Sequence, residues 1–322
     1  MENKKLLGNL LLTLTAAIWG TAFVGQRVGM EKIEPITFNA ARMVLAAIAI
    51  GTLAFILWLR EKKTNKVSGP HNRPGNPEHQ GNQLQQNNAI RNNTILGGIC
   101  CGTFLALASL FQQMGMVYTS AGKAGFITAM YMLLVPILNF VFFRRKNTWL
   151  VWLAVGIGVV GMYLLCMIEG FSLTHGDMLV CVCAFLFSGH ILCCDHFAPL
   201  GNPIRISAIQ FATAAVISGI GAIILEEPSW DKIVSAAIPI LYCGIVSGGI
   251  GYTLQIVAQK FTDPTIASLL MSLESVFAVI AGAVLLNERM SARELTGCIV
   301  MFAAIILVQL PLPVRQKTEA MN

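Results

Sequence analysis

Ten long apolar runs fill almost the whole of this 322-residue chain, and they constrain its fold more than any other feature. An α-helix rises about 1.5 Å per residue, so about 20 apolar residues cross a bilayer core of about 30 Å. Hydrophobic residues make up 55% of the chain and charged residues only 12%. This composition excludes an ordinary soluble enzyme and a disordered protein. We predict an all-α polytopic membrane protein with ten transmembrane helices at 6–26, 35–59, 94–117, 122–143, 149–168, 176–194, 204–225, 233–257, 264–286 and 292–311.

The basic residues between the runs predict the orientation of the chain. Lys and Arg are enriched in the cytoplasmic loops of membrane proteins. With the N-terminus inside, most of the 22 Lys and Arg residues fall on the inner side. We therefore expect a multi-pass protein of the cell (inner) membrane with both termini in the cytoplasm. The net charge of +6 does not predict nucleic-acid binding, because no dense basic helix with interleaved aromatic residues is present.

One segment differs from the rest of the chain. Residues 60–93 form a polar segment between two of the apolar runs. Within it, residues 63–93 are rich in Asn, Gln, Gly and Pro and have almost no large apolar side chain. Such a stretch buries too little apolar surface to order itself. We predict a flexible polar cytoplasmic loop here.

The chain also contains an internal repeat. A shift of 168 residues superposes the first two predicted helices on later ones, and a shift of 143 does the same further along the chain. The simplest explanation is two five-helix halves, 1–168 and 169–322, with an insertion in the first. An odd number of spans inverts the second half, and inverted repeats are common in secondary transporters, whose substrate sites lie near the midplane. The superposed pairs are Pro35 and Pro203, Trp19 and Phe187, Asn39 and Ser207, Arg42 and Gln210, Gln112 and Gln255, and Thr119 and Thr262.

Glu274 is the clearest candidate for a functional group. It is the eleventh residue of the span 264–286 and therefore lies near the middle of the bilayer. Insertion scales place the cost of a charged Asp, Lys or Arg there at about 2.5–3.5 kcal/mol. A carboxyl group at that depth must pair, bind a cation or take a proton. The alternative is a structural glutamate satisfied by neighbouring helices.

Arg42 lies at a similar depth in the span 35–59. A guanidinium group there is suited to binding a carboxylate or phosphate of a substrate. It is equally suited to neutralising Glu274 as a fixed structural partner. Both interpretations stay open at the level of sequence.

Further polar and aromatic side chains recur at helical spacing within the apolar runs. Lipid cannot satisfy such groups, so the faces that hold them should point inward. They predict either a polar cavity with aromatic walls or hydrogen bonds between helices, which stabilise by only about 0.6 kcal/mol per pair on average. The candidates for the cavity, besides Glu274 and Arg42, are Trp19, Asn39, Gln113, Tyr131, His190, Gln210, Tyr252 and Gln255.

Three other patterns do not predict a cofactor or a metal. Gly122-Lys123 lacks the glycine and the Ser or Thr of a phosphate loop. The Cys and His residues of 181–196 match no usual metal spacing. The pairs Gly25/Gly29, Gly98/Gly102 and Gly244/Gly248 predict close helix packing.

Three stretches together resemble a known family: AAIWGTAFVGQRVGM with TFNAARMVLAA, QQMGMVYTSAGKAGFITAMYMLLVP, and LLMSLESVFAVIAGAVLLNERMSARELTG. They are similar to the EamA-type transporters of the drug/metabolite transporter superfamily. This resemblance implies ten helices in two inverted repeats, alternating access, and outward movement of small metabolites, often amino acids.

The chain departs from the family pattern in two places. Ser275 follows Glu274 where the family often has proline, so we expect no kink there. Residues 144–146 are basic where an acidic residue is frequent, while Glu288 keeps that acid in the second half. The stretch HILCCDHF followed by AIQF resembles a subgroup trait and marks His190, Asp195 and Gln210 for testing.

We therefore predict a secondary transporter that moves a small polar or amphipathic metabolite, with protons as one candidate coupling ion. An uncoupled facilitator is the alternative within this class. The rival from another class is a polytopic lipid-modifying enzyme, whose nearest catalytic candidates are His190, Asp195 and His196. The expected partners are a small-molecule substrate and the lipid bilayer, and a homodimer is left open.

Overall fold

All regular structure in the computed structural model is helical within residues 2–67, 77–118, 121–166, 174–285 and 291–309, which are the residues that the structure describes. Fourteen α-helices and one π-helical segment occupy these ranges. They are α1 Glu2–Met30, α2 Pro35–Val67, α3 Pro77–Met116, α4 Ala121–Ala129, α5 Tyr131–Phe143, α6 Trp149–Cys166, α7 His175–Phe197, α8 Pro203–Leu225, α9 Trp230–Ser235, α10 Ala237–Leu241, the π segment Tyr242–Tyr252, α11 Thr253–Gln259, α12 Pro264–Met271, α13 Glu274–Leu285 and α14 Ala292–Gln309.

These helices confirm the predicted fold class. Eight continuous or abutting helical stretches in the described residues are long and apolar enough to cross a membrane. The two remaining predicted spans, 149–168 and 292–311, hold the 18-residue helices α6 and α14. The protein is therefore an all-α, multi-pass membrane protein, and the predicted number of ten spans holds approximately: eight stretches have the length and composition of a span, and α6 and α14 are apolar helices that each end beside residues outside the described ranges.

Local sequence determines where several helices begin. Asn202 Oδ1 accepts a hydrogen bond from the Arg205 amide at 3.1 Å, and Asp263 Oδ1 accepts one from the Thr265 amide at 2.9 Å. Both residues precede a proline at the first helical position, which is the arrangement expected of helix N-termini.

The start of α2 is capped by a residue from a distant part of the chain. The Glu226 carboxylate, just after α8, accepts hydrogen bonds from the amides of Ile36 and Thr37 at 3.0 and 2.7 Å. A carboxylate is favoured there because the amide groups at a helix N-terminus are unpaired and partly positive. In the preceding loop, a hydrogen bond from the Lys232 ammonium lowers the pKa of the Glu34 carboxyl group. Both contacts join the start of α2 to the segment between α8 and α10.

Much of the segment 60–93, for which a flexible loop is predicted, is helical in the structure. Helix α2 continues to Val67 and α3 begins at Pro77. Residues 68–76 lie outside the described residues. Extending an existing helix adds one hydrogen bond per residue without a new nucleation cost. Polar residues adjoining a long membrane helix can therefore continue it, although they could not order themselves alone.

Three predicted spans are interrupted rather than continuous. The span 233–257 is divided among α9, α10, the π segment and α11, while Met130 separates α4 from α5. Ser272 and Leu273 separate α12 from α13, so the expectation of no kink near Glu274 was wrong. At this second break the hydroxyl groups of Ser268 and Ser272 donate to carbonyl oxygens three residues earlier, at 2.9 and 2.7 Å. Such bonds, together with tight i→i−3 backbone bonds, can bend a helix without proline.

The main contacts between the two predicted halves occur in matching pairs. Helix α3 packs against α7 and α8, and correspondingly the segment from α10 to α11 packs against α1 and α2. Helices α4 and α5 pack against α7, as α12 and α13 pack against α1. The pairs α2 with α8 and α6 with α14 each join corresponding helices. Two related halves would give this pattern, although their boundary at residue 168 stays a prediction.

Glycines allow the closest of these contacts. A Cβ atom on Gly102 would lie 2.5 Å from the carbonyl oxygen of Gln210, and one on Gly244 would lie 2.9 Å from that of Arg42. Backbone atoms cannot move aside as flexible side chains can. The predicted role of the pairs Gly98/Gly102 and Gly244/Gly248 in close helix packing is therefore confirmed.

Candidate functional site

A single polar cavity brings most of the predicted site residues together. The empty space between its walls is about 650 Å³, which includes solvent at its open mouth. On α1 and α3, the residues that line the cavity lie in the C-terminal half of the helix. The residues that line it are Trp19, Phe23, Gln26, Arg42, Met43, Gln112, Thr128, Tyr131, Phe187, His190, Ile191, Cys243, Ser247, Gly248, Tyr252, Gln255 and Glu274.

The carboxyl group of Glu274 lies in the wall of this cavity. Glu274 is the first residue of α13, directly after the break in the helix, and its side chain is buried. Its Oε1 accepts a hydrogen bond of 3.0 Å from the hydroxyl group of Tyr131, which is the first residue of α5. Among the residues that the structure describes, Tyr131 is the side chain that donates to this carboxyl group, which also faces a polar space.

Arg42 is held in place by a hydrogen-bond network that begins at Asn39 on its own helix. Its Nε donates to Asn39 Oδ1 at 3.0 Å. Asn39 Nδ2 in turn donates to Ser109 Oγ at 3.2 Å and Ser218 Oγ at 3.1 Å, which connects α2 to α3 and α8. The network fixes the guanidinium group by its Nε, while Arg42 itself lines the cavity.

Glu274 and Arg42 share the cavity without forming an ion pair. Each ion pair found in the described parts of the chain joins other residues: Arg145 with Asp195, Arg205 with Glu61, and Lys232 with Glu34. Of the two interpretations of Arg42, a fixed neutralising partner of Glu274 is therefore wrong for this conformation. An acidic and a basic side chain thus face the same buried space at separate positions.

Aromatic rings form another part of the wall. The rings of Trp19 and Tyr252 lie 4.5 Å apart between centroids and are tilted by 47°. The Trp19 Nε1 group donates to the Ser247 carbonyl oxygen at 3.2 Å, which anchors α1 to the π segment. His190 packs edge-on against Tyr252 and bonds Gln210 through Nε2 at 2.9 Å. The cavity thus offers flat apolar faces beside its charged groups.

Seven of the ten predicted site residues line the cavity, and the other three support it from behind. The supporting residues are Asn39, Gln113 and Gln210, and each bonds a lining residue: Arg42, Gln26 and His190 respectively. Gln26, Gln112, Thr128 and Ser247 also line the cavity but were not among the predicted site residues. Helical spacing does place Gln26 on the same inward face of α1 as Trp19, but it does not distinguish a lining residue from one that bonds a neighbouring helix.

The Cys and His residues of α7 do not converge on a catalytic centre. His190 faces the cavity, Asp195 forms an ion pair with Arg145 at 2.8 Å, and His196 packs against Phe197. Cys194 lies 3.7 Å from Cys101 between their sulfur atoms, in an apolar cluster between α3 and α7. Over the ranges that the structure describes, no group of three or more His, Cys, Asp or Glu side chains could hold a metal ion.

Polar contacts between helices lie on the N-terminal side of the cavity, which is the side toward the first residues of α1. Gln259 Nε2 donates to the Ile191 carbonyl oxygen at 3.0 Å, and Thr265 Oγ1 donates to Asn147 Oδ1 at 3.2 Å. The pair of Arg145 and Asp195 joins the α5–α6 connection to the end of α7 on the same side. These contacts join helices from both predicted halves below the cavity.

A multi-pass helical protein with a buried polar cavity between its helices has the architecture of a membrane transporter. The EamA-like transporter family model matches residues 6–167 and 174–310, and the chain belongs to this family.

Two individual proteins are also similar to this chain. A protein of Archaeoglobus fulgidus described as an uncharacterized transporter is 25% identical over 312 residues, covering 95% of this chain and 87% of its own length. A solved crystal structure superposes with a TM-score of 0.71 at 15% identity and covers 96% of this chain and 97% of that chain. The crystal structure supports the fold, and the family and the archaeal relative indicate a transporter rather than an enzyme.

Proposed function

We propose that this protein is a secondary transporter of the cell membrane that exports a small zwitterionic metabolite, such as an amino acid or a related compound, by alternating access. Both termini lie in the cytoplasm in this proposal, in agreement with the distribution of Lys and Arg. Membership of the EamA-like transporter family supports the class of activity. The chemistry of the cavity supports the class of substrate.

The observation that carries the proposal is the presence of Glu274 and Arg42, unpaired with each other, in one cavity. An uncompensated charge is costly when it is removed from water. A substrate with an ammonium group and a carboxylate would compensate both charges at once. The ammonium group would bind Glu274, and the carboxylate would bind the guanidinium group of Arg42.

The aromatic wall supports an amphipathic substrate. Trp19, Phe23 and Tyr252 offer apolar surface beside the charged groups. Aromatic faces bind apolar side chains, and they also attract cations through their π systems. A metabolite with an apolar side chain and a charged backbone fits both parts of the cavity.

Glu274 is also the group that would couple transport to protons. It is the acidic residue among those that line the cavity. A proton and a substrate ammonium group would then compete for the same carboxylate. If Glu274 binds a proton as the substrate leaves, metabolite is exchanged for protons across the membrane. The proton gradient can then drive export. The polar contacts of Gln259, Asn147 and Arg145 on the N-terminal side would break when the cavity opens to the cytoplasm.

The test is transport in proteoliposomes with the Glu274→Gln variant. The probes are radiolabelled amino acids, measured one at a time with and without an imposed pH gradient. We expect the wild-type protein to respond to the gradient and Glu274→Gln to lose this response, with the rate falling roughly tenfold or more because a charge-assisted bond is lost. Asp231→Asn, which neutralises an exposed carboxylate on α9, serves as the control.

Two results would contradict the proposal. A Glu274→Gln variant with unchanged rate and unchanged pH dependence would remove the role of the carboxylate. Wild-type flux that ignores the pH gradient would instead indicate an uncoupled facilitator. Arg42→Gln distinguishes the role of Arg42 from that of Glu274. It should weaken transport of carboxylates and leave the response to the pH gradient in place.

A further inference from the structure

Two of the three interrupted membrane spans break at corresponding places in the sequence. Met130 separates α4 from α5, and Ser272 with Leu273 separates α12 from α13. The shift of 143 residues that superposes Gln112 on Gln255 also superposes Met130 on Leu273. The first residues of the two following helices, Tyr131 and Glu274, are therefore equivalent positions. Interrupted helices at corresponding positions commonly surround the binding site of a transporter.

These two equivalent residues contact each other. The Tyr131 hydroxyl group donates to Glu274 Oε1 at 3.0 Å, and both side chains are buried and line the cavity. In the described parts of the chain, no second side chain donates a hydrogen bond to this carboxylate. The bond joins α5 to α13 across the cavity, so it connects the two breaks directly.

The surroundings of Glu274 contain few other titratable groups. Tyr252 from the π segment and Cys183 from α7 interact with its charge, while Arg42 from α2 and His190 from α7 line the same cavity. Helices α1, α4, α6 and α14 also pack against α13, and within the described residues they direct no charged side chain at this carboxylate. Tyr131 is thus the polar partner most directly affected by a change in the charge of Glu274.

We propose that Tyr131 is a positioning residue that couples the charge of Glu274 to the relative position of the two broken helices. This inference rests on the proposed function and adds a mechanical step to it. A phenol donates a stronger hydrogen bond to a carboxylate than to a neutral carboxyl group. When Glu274 is charged and empty, the bond holds α5 against α13. When a proton or a substrate ammonium group neutralises the carboxylate, the bond weakens and the two helices are released.

The test measures the helix positions directly, without a transported substrate. Spin labels attached through non-natural amino acids at Ile137 on α5 and Ile280 on α13, both partly exposed at the protein surface, report the distance between the helices. The protein is reconstituted in nanodiscs and measured at pH 5 and pH 8. We expect the ratio of two distance populations in the otherwise unchanged protein to differ about tenfold between these pH values, which corresponds to about 1.4 kcal/mol.

Tyr131→Phe keeps the buried ring and removes only the hydroxyl group. We expect its distance populations to differ less than about twofold between the two pH values, although Glu274 is still present. Tyr163→Phe is the matched control, because this tyrosine lies on α6 and packs against Phe126 and Arg293. It should retain the full tenfold response.

A double-substitution cycle separates the inference from the proposed function. Glu274→Gln should abolish the pH response of the distances, and adding Tyr131→Phe to it should change that response no further. A Tyr131→Phe variant with the full response overturns the inference, whether or not Glu274→Gln has lost its own response. If Glu274→Gln alone keeps both its distance response and its coupled transport, the proposed function fails as well. If Tyr131→Phe does not fold, a full pH response in Glu274→Gln is sufficient to overturn the inference.

Discussion

Asn39 shows how a buried residue outside the cavity controls one inside it. Its amide group makes three side-chain hydrogen bonds, to Arg42, Ser109 and Ser218. Arginine has many rotamers, and a fixed partner on the same helix restricts them. The orientation of Arg42 toward the cavity therefore depends on a residue that a substrate would not contact.

We predict that Asn39→Ala destabilises the protein and weakens substrate binding. Hydrogen bonds between membrane helices contribute about 0.6 kcal/mol each on average, so the loss of the two to Ser109 and Ser218 costs about 1 kcal/mol. The measurements are thermal unfolding in detergent and the affinity for a carboxylate substrate. The control is Asn139→Ala, since Asn139 is buried and its amide has no hydrogen-bond partner among the described residues. This control should be neutral or stabilising, and equal destabilisation by both substitutions would contradict the role of the network.

At this scale the sequence predicted which faces of the helices are polar, but not which residues line the cavity. Helical spacing placed Trp19, Tyr252 and Gln255 on inward faces, and all three line the cavity. The same reasoning cannot separate a lining residue from its supporting neighbour one layer behind. Asn39 and Gln210 are both fully buried and inward, and the packing of adjacent helices alone decides that they stand behind Arg42 and His190.

Among the helices, α1 packs closely against α13 beside the candidate site. A Cβ atom on Gly20 would lie 2.5 Å from Cβ of Phe277, 2.6 Å from the carbonyl oxygen of Glu274 and 2.7 Å from the amide nitrogen of Ala278. Two of these three atoms belong to the backbone of α13. Any side chain at position 20 therefore displaces the helix that begins with Glu274.

We predict that Gly20→Ala reduces transport strongly while the protein still folds. Overpacking of this kind typically costs about 1–3 kcal/mol, and here it also moves the carboxyl group relative to Tyr131. Transport rate and unfolding temperature are the measurements. Gly219→Ala on α8 is the control, because a Cβ atom there meets nothing within 4 Å. It should be neutral or slightly stabilising, since alanine favours helix more than glycine. Wild-type transport by Gly20→Ala would show that α13 tolerates the displacement.

Hydropathy predicted the membrane helices more accurately than their interruptions. Apolar length sets where a helix can cross, and the runs 35–59 and 204–225 correspond to α2 and α8. The breaks depend on hydrogen bonds of Ser268 and Ser272 and on the backbone near Met130, which leave the hydropathy unchanged. Proline is the usual sequence signal for a kink, and it is not required at either break.

At the scale of the whole molecule, the ion pair of Arg145 and Asp195 is a contact that must break if the cavity is to open toward the side of the protein that holds the start of α1. Arg145 is half exposed and Asp195 is mostly buried. Such surface pairs contribute about 0–1 kcal/mol. We therefore expect a modest effect on the balance between two conformations rather than a loss of folding.

We predict that Arg145→Gln or Asp195→Asn shifts this balance up to about fivefold toward opening on the N-terminal side. The measurement is the distance between spin labels at Lys146 and Lys260, which lie on that side of the protein. The exchanged pair Arg145→Asp with Asp195→Arg should restore the wild-type distances. About 1 M salt should imitate the single substitutions, because it screens exposed charges. Unchanged distances in both single variants would exclude a role for this pair in closure.

The sequence predicted the class of the whole molecule better than its conformation. Family resemblance and apolar runs gave a multi-pass transporter of the EamA-like family, as the match over 6–167 and 174–310 confirms. The relation of Glu274 to Arg42 could not be predicted, because similar depth in the bilayer is compatible with either a pair or two separate charges. Their separation depends on how far apart α2 and α13 stand around the cavity.

The equivalence of Tyr131 and Glu274 has a thermodynamic consequence for a carrier built from two related halves. Exchanging the roles of the halves would interconvert the two conformations of an empty carrier, and these would be equal in energy if the two halves were identical. Of the pair Tyr131 and Glu274, only the glutamate has an ionisable carboxyl group, so this pair contributes an energy difference between the two conformations that depends on the surrounding pH. A carrier without substrate would then favour one of its two conformations, even when the solutions on both faces of the membrane are the same.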